Sequence, residues 1–176
     1  WKNSKLILIL LLKNSLPAHS KTARKAMFNG RTQDYDDTVI TNNGFWSDIY
    51  VEEFQKQRAI PLQIPVDMVK TALIAAMQGV NLDLAEVEEN HRKSAVNSVQ
   101  EISTQRINGE NYAETLYKKA VFARAKAELL PEFNTLSGRE IHQNREYVDE
   151  QKSLLAEATH AIRTLKGKKR GSVWLL

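Results

Sequence analysis

The run Asn111 to Leu130, NYAETLYKKAVFARAKAELL, constrains the fold of this chain more than any other stretch. At about 100° per residue, Tyr112, Leu116, Ala120, Ala123, Ala127 and Leu130 share one helical face. Tyr117, Val121, Phe122 and Leu129 fall outside that face and are also apolar. A helix apolar on more than one side is central, with neighbours on several sides. Its alanines let those neighbours approach closely. Asn111 is placed to accept from the amide three residues on while Glu114 reaches back, a capping box. Pro131 is expected to stop the helix. The rest of the chain is read as packing around it.

Composition supports a helical class. Charged residues make up 26% and aromatics only 7%, and the long runs are rich in Ala, Glu, Lys, Leu and Gln. Cysteine is absent, which removes disulfide scaffolds, thiol nucleophiles and thiolate metal sites. The formal charge of +4 is misleading. Residues 1–26 hold Lys2, Lys5, Lys13, Lys21, Arg24 and Lys25 and no acid. Removing these six from 25 leaves 19 basic residues against 21 acidic. A nucleic-acid reading from overall basicity therefore fails for the domain.

Residues 1–26 differ from the rest. Leu6–Leu12 is a seven-residue apolar run between lysines, too short for a membrane span of about 20 residues. With the small residues near Ala18 it has the outline of a signal peptide, which would make the protein secreted or membrane-associated. The preferred reading takes Met27 as the natural start and 1–26 as upstream sequence. The competing one is a basic arm that orders on a partner. Residues 28–44 read as extended and mobile, with turns at Asn29-Gly30 and Asn43-Gly44. Asp34, Asp36 and Asp37 lack EF-hand spacing and read as a solvated strip. Phe45 and Trp46 read as a lid on the core or, alternatively, an exposed docking pair.

A short helix is expected over about Tyr50–Gln57, followed by an extended link at Pro61 and Pro65. A long helix is expected over Val66–His91, with Val66, Val69, Leu73, Met77, Val80, Leu84 and Val87 as its stripe. It would be about 40 Å long at about 1.5 Å per residue. Residues 93–110 form a long connection whose Val96, Val99 and Ile102 tuck into the core edge. Asn108-Gly109 turns into the central helix. Ser137 and Glu140 suggest a capping box for a last helix, with Ile141, Val148, Leu155, Ala158, Ile162 and Leu165 on one face. Gly167 follows a basic turn, as a C-terminal cap should. Beyond it lie Lys168, Lys169 and Arg170, then Val173, Trp174, Leu175 and Leu176. This tail is too short for a core element and too apolar for water, so it reads as an anchor for another chain.

Two Glu-x-x-His pairs, Glu88…His91 and Glu157…His160, invite comparison with helical-bundle metalloenzymes. Only the first faces its helix's apolar stripe, and it sits at a helix end. No metal or other cofactor is assigned. No Gly-x-Ser-x-Gly or phosphate-cradling loop is present.

Several stretches together resemble one family. They are Thr38–Ile49 (TVITNNGFWSDI), Phe54–Pro61 (FQKQRAIP), Thr71–Asn81 (TALIAAMQGVN), Leu116–Val121 (LYKKAV), Ala125–Leu130 (AKAELL) and Ala161–Gly167 (AIRTLKG) with its basic tail. In order and spacing they are similar to the head completion, or head-stabilisation, proteins of tailed bacteriophages, typified by the L protein of temperate coliphages. The likeness covers about Met27–Leu176. Ser47 stands where that family has a proline, and residues 1–26 have no counterpart.

The resemblance implies a non-enzymatic connector adaptor in the virion neck, assembled in the bacterial host cytoplasm. Such proteins form a ring, taken as dodecameric, beneath the portal. The ring extends the DNA channel, helps retain the genome and gives the tail its platform. Implied partners are the portal ring, other copies, the next neck or tail-terminator protein and the packaged double-stranded DNA, with no membrane. The portal-binding residues would be Gly167, Lys168, Lys169, Arg170, Val173, Trp174, Leu175 and Leu176. Phe45 and Trp46 are candidate ring or portal contacts. The expected fold is an all-α small helical bundle, about three long helices plus a short one, with extended N- and C-terminal arms. Its expected parts are an arm over 1–44, a bundle over 45–166 and an anchoring tail over 167–176.

Overall fold

The computed structural model describes residues 35–137 and 144–168. The architecture is a helical bundle with two minimal hairpins. Strand β1 (Val39–Ile40) pairs antiparallel with β2 (Ile49–Tyr50), with Val39 opposite Tyr50. Helix α1 (Val51–Gln57) follows directly, then α2 (Val66–Asp83), α3 (Ala85–Lys93) and the short α4 (Val99–Ile102). Strands β3 (Arg106–Ile107) and β4 (Glu110–Asn111) form the second hairpin. It delivers the chain into α5 (Tyr112–Ser137), and α6 (Asn144–Leu165) closes the bundle.

Helix α5 is central, as its pattern requires. Tyr117, Ala120, Val121, Phe122, Ala123, Ala125, Ala127, Leu129 and Leu130 are all buried. It packs most extensively against α6 and next against α2. Tyr112 is the exception to the expected face and is exposed. Asn111 caps the helix, its Oδ1 accepting from the amides of Ala113 (3.0 Å) and Glu114 (3.2 Å). Glu114 pairs with Lys118 at 3.5 Å, in place of the expected reach back to the cap. Asn111 also donates through Nδ2 to the carbonyls of Gln100 and Ser103, which pins the connection before the hairpin. Asn108 and Gly109 both adopt positive φ, the pattern of a type I′ hairpin turn.

Pro131 does not stop the helix. It lies inside α5, which runs on to Ser137. A mid-helix proline leaves the carbonyl four residues back without its donor, and such prolines cost about 3 kcal/mol. Here that carbonyl belongs to Ala127, and the side-chain amide of Gln151 on α6 donates to it at 3.1 Å. A neighbouring helix thus supplies the missing N–H. The continuation lets Leu130 and Phe133 join Ala123, Ala127, Leu154 and Ala158 in a second apolar cluster.

The expected long helix 66–91 is interrupted at Leu84, which leaves helical geometry (φ −101°, ψ 5°) while its side chain stays buried. No proline or glycine lies there. The interruption keeps Leu84 in the core and brings Glu88 to Asn43 and Arg92 over the Phe45 ring. Near this end of α2, Arg124 of α5 pairs with Asp83 and its guanidinium lies over Gly79. A Cβ at Gly79 would stand 3.0 Å from Arg124 Nη1, so the glycine makes room for the ion pair.

The connection over 93–110 buries Val99, with Val96 and Ile102 packed against the core, as expected. Residues 35–44 are more tied than an extended mobile run implies. Gln55 accepts from the Asp36 amide, and the Asp36 carboxylate accepts from the Thr38 amide and pairs with Lys70 at 3.5 Å. Ser137 ends α5 and therefore does not cap α6, and residues 138–143 lie outside the described set. The buried face of α6 is Leu154, Ala158, Ala161 and Ile162. Val148 and Leu155, expected there, are 40% and 45% exposed.

Replacing Gln151 by Ala is expected to lower stability by about 1 kcal/mol, the scale of one intramolecular hydrogen bond. In a Pro131→Ala background the backbone supplies its own donor, and the same change is expected to cost well under half as much. Equal costs in both backgrounds, measured by chemical denaturation, would show that the Gln151 amide does not replace the proline's lost donor.

Candidate interaction site

The segment Asn42–Trp46 is built by side-chain amides. Asn43 Oδ1 accepts from the amides of Phe45 (3.1 Å) and Trp46 (3.2 Å), and Gly44 takes φ +83° between them. This turn drives both aromatic side chains inward. Phe45 is 1% and Trp46 2% exposed. The Trp46 ring stacks on Tyr117 (4.9 Å, 11°), and Phe45 meets Trp46 edge-on (5.0 Å, 77°). The lid reading is the one found. As candidate ring or portal contacts, both side chains are buried within the single chain.

Below the stack, three polar groups close a ring. Asn42 Nδ2 donates to the Tyr117 hydroxyl (2.7 Å), that hydroxyl donates to Asn81 Oδ1 (2.7 Å), and Asn81 Nδ2 donates to Asn42 Oδ1 (2.8 Å). Each group both gives and receives, so the buried phenol is satisfied without a charge. Burial pushes the Tyr117 hydroxyl well above the usual phenol range. Sequence periodicity placed Tyr117 in the core but gave no sign of its two asparagine partners, which come from other elements.

A second polar cluster lines a cleft where α1, α5 and α6 meet. Arg58 holds Glu157 through Nη2 at 2.8 Å, with Lys119 at 3.9 Å, while Lys118 holds Glu53 at 3.0 Å and Glu114 at 3.5 Å. The Arg58 hydrogen bond holds the Glu157 carboxyl below the usual carboxylate range, against the opposing effect of burial. For Lys118, burial acts to lower the pKa, but Glu53 and Glu114 outweigh it and the net shift is upward. Glu157 is thus half-buried in an ion pair, where a solvent-facing position was expected. In the other Glu-x-x-His pair, Glu88 binds Arg92 at 2.9 Å and Asn43 at 2.9 Å. Among the described residues, no group of three or more His, Asp or Glu stands where it could hold a metal ion.

The C-terminal end of α6 is a complete cap. Gly167 adopts φ +68°. Its amide donates to the Thr164 carbonyl (2.9 Å), and the Lys168 amide to that of Arg163 (2.9 Å). This is a Schellman motif. Lys166, Gly167 and Lys168 are exposed. The remaining expected anchor residues, Lys169, Arg170, Val173, Trp174, Leu175 and Leu176, lie outside the described residues. No helix among the described residues is long and apolar enough to cross a membrane.

A helical bundle that uses its polar side chains to tie its own elements together, and ends in a capped helix followed by an apolar tail, has the build of a structural assembly protein. The chain belongs to the phage head completion protein (GPL) family, whose model matches residues 40–176. It is 89% identical over 150 residues to a probable head completion/stabilization protein of Haemophilus phage HP1 (strain HP1c1), covering 85% of this chain and the whole of that relative. No solved structure matches.

Tyr117→Phe is expected to cost about 1–3 kcal/mol, because it leaves two part-buried amides short of a partner. A loss below about 0.5 kcal/mol in chemical denaturation would remove the ring from the stability argument. Glu157→Gln tests the cleft by pH. With its folded pKa depressed, Glu157 contributes stability that is present above its ordinary value of 4.5 and lost as pH falls through the folded one. The variant should therefore be less stable than the parent near neutrality by about 1 kcal/mol. The gap should close in acid, and a gap independent of pH would contradict the ion-pair account.

Proposed function

We propose that this head completion protein is a non-enzymatic structural adaptor of a tailed-phage neck. Copies form a ring beneath the portal that closes the DNA-filled head, extends the DNA channel, helps retain the genome and gives the tail its attachment platform. The observation that carries the reading is the end of α6. There, in a chain of the head completion family, the Schellman cap ends the helix at exposed Lys166–Lys168. The sequence then continues basic and finishes Val173-Trp174-Leu175-Leu176. Ten residues from Gly167 reach about 35 Å when extended, enough to enter a neighbouring subunit's surface.

In this reading Trp174, Leu175 and Leu176 supply buried apolar area between portal subunits, and Lys168, Lys169 and Arg170 meet acidic portal surface. Aromatic and arginine side chains commonly dominate interface energy. The near balance of charge over residues 27–176 supports a channel wall past which DNA slides, since each phosphate contact would add grip.

A chain ending at Lys168 keeps the Schellman cap and is expected to melt within a few degrees of the full chain while failing to co-sediment with portal rings. Portal binding by the shortened chain would move the anchor elsewhere. Failure of the full chain to bind would remove the adaptor role.

A further inference from the structure

We propose that Asn108, at the tip of the β3–β4 hairpin, is a site of spontaneous covalent modification. It deamidates through a succinimide to aspartate and isoaspartate, while Asn43, which also precedes a glycine, is protected by the fold.

The chemistry needs no enzyme. The backbone nitrogen of the following residue attacks the asparagine side-chain carbonyl carbon and gives up its proton to solvent base. The bond from that carbon to Nδ2 breaks, and the released nitrogen takes up a proton and leaves as ammonia. Water then opens the cyclic imide. Addition at the side-chain carbonyl gives aspartate. Addition at the backbone carbonyl gives isoaspartate, in which the main chain runs through the side chain. Glycine favours the attack because it sets no Cβ beside the nucleophile. Asn43-Gly44 and Asn108-Gly109 are therefore matched in chemistry, and their surroundings set them apart.

Asn43 is tied at both ends of its amide. Its Oδ1 accepts from the amides of Phe45 (3.1 Å) and Trp46 (3.2 Å), and its Nδ2 donates to Glu88 at 2.9 Å. Ring closure there must break these bonds and disturb two aromatic residues buried in the core. Asn108 is exposed, and its side chain makes no hydrogen bond among the described residues. The Gly109 amide has no backbone acceptor among them. Both residues take positive φ, +54° and +83°, so the turn must open before the nitrogen can attack. That opening releases only the Ile107–Glu110 pairing and the bond from Arg106 Nη1 to the Gly109 carbonyl. Exposed segments with few buried contacts open at the lowest cost.

The root of the hairpin is held separately. The Tyr112 amide donates to the Gln105 carbonyl at 3.2 Å, and Asn111 holds Gln100 and Ser103 while it caps α5. The tip can therefore react without unseating α5. Either product places a new carboxylate beside Arg106. Aspartate tolerates the left-handed backbone of the turn, whereas isoaspartate lengthens the main chain there and loses the fit of a type I′ turn to the strands.

The test follows the full chain in mildly alkaline buffer by tryptic mass mapping. Cleavage after Arg31 and Arg106 places Asn43 and Asn108 on separate peptides. Asn108 is expected to convert about tenfold faster than Asn43, the ratio that about 1.4 kcal/mol of extra opening cost produces. In denaturant the two are expected to convert at comparable rates. Glu88→Ala, shown to be folded by circular dichroism, is expected to speed Asn43 and leave Asn108 unchanged. Comparable rates in the folded chain, or faster conversion at Asn43, would overturn the assignment. A ratio that survives denaturation, or an Asn43 rate untouched by Glu88→Ala, would overturn protection by the fold. Chain converted at Asn108, separated by ion exchange, is expected to melt within a few degrees of the parent. A large loss of stability would overturn the independence of the tip from α5.

Discussion

The hydroxyl of Tyr117 is the point on which the packing of this bundle depends. A phenol at the centre of a helical core must have its hydrogen bonds satisfied, because an unmet buried polar group costs about 1–3 kcal/mol. Tyr117 meets that demand with Asn42 from the segment after β1 and Asn81 from α2. The requirement of one atom therefore fixes three elements relative to each other. The Trp46 ring lies flat on the same tyrosine, with Phe45 against its edge and Arg92 of α3 over the outer ring. The carbonyl of Phe45 accepts from Val99, so α4 is registered from the same place. The Trp46 indole N–H has no acceptor among the described residues, which marks packing on Tyr117, rather than hydrogen bonding, as what holds this ring.

Neutral amides do most of this joining. Asn111 caps α5 and fastens the connection before it, Gln151 completes α5 where Pro131 interrupts its ladder, and Gln55 receives the Asp36 amide. An amide both donates and accepts and carries no charge to desolvate. The ionic contacts lie further out, at the α1–α5–α6 cleft, at the Arg124–Asp83 pair between α2 and α5 and along helix surfaces, where solvent moderates both their cost and their worth. The division has a consequence for pH. The amide joints among Asn42, Asn81 and Tyr117 carry no charge that changes near neutrality, whereas Glu157, whose carboxyl Arg58 holds below the usual range, loses its pairing in acid.

Features governed by local or periodic rules were legible in the sequence. The many-sided apolar pattern of Asn111–Leu130 identified the central helix, and Asn-Gly dipeptides identified two turns. Asn111 and Gly167 were read correctly as caps, and Val99 as a core contact. Rules that ignore a neighbour failed where a neighbour intervened. Pro131 ends an isolated helix, but Gln151 lies twenty residues further on, and no local pattern announces it. The stripe from Val66 to Val87 runs unbroken in sequence while the helix does not, because keeping Leu84 buried and bringing Glu88 and Arg92 to the Asn43–Phe45 turn decides its path. Val148 and Leu155 sat on the predicted apolar face of α6, yet Leu154 and Ala161 are the residues facing α5. Phe45 and Trp46 were open to two readings because adjacency of two aromatics says nothing of direction. The Asx turn at Asn43 supplies that direction.

With Phe45, Trp46, Phe54, Tyr117 and Phe122 buried in the core, the proposed adaptor role leaves recognition to the margins of the described bundle. Among the exposed margins are the outer positions of α2, the β3–β4 hairpin and the C-terminal end of α6. Each is a short segment mounted on a rigid element, and each is small by the standard of a stable pairwise interface of about 1,600 Å2. Small contacts suffice when they are repeated. In a closed assembly, binding one copy raises the effective concentration of the next site, so modest pairwise affinities combine into a durable whole. A core locked by neutral hydrogen bonds suits this arrangement, since the geometry each copy offers its neighbours is set before they meet and little ordering has to occur at the contact.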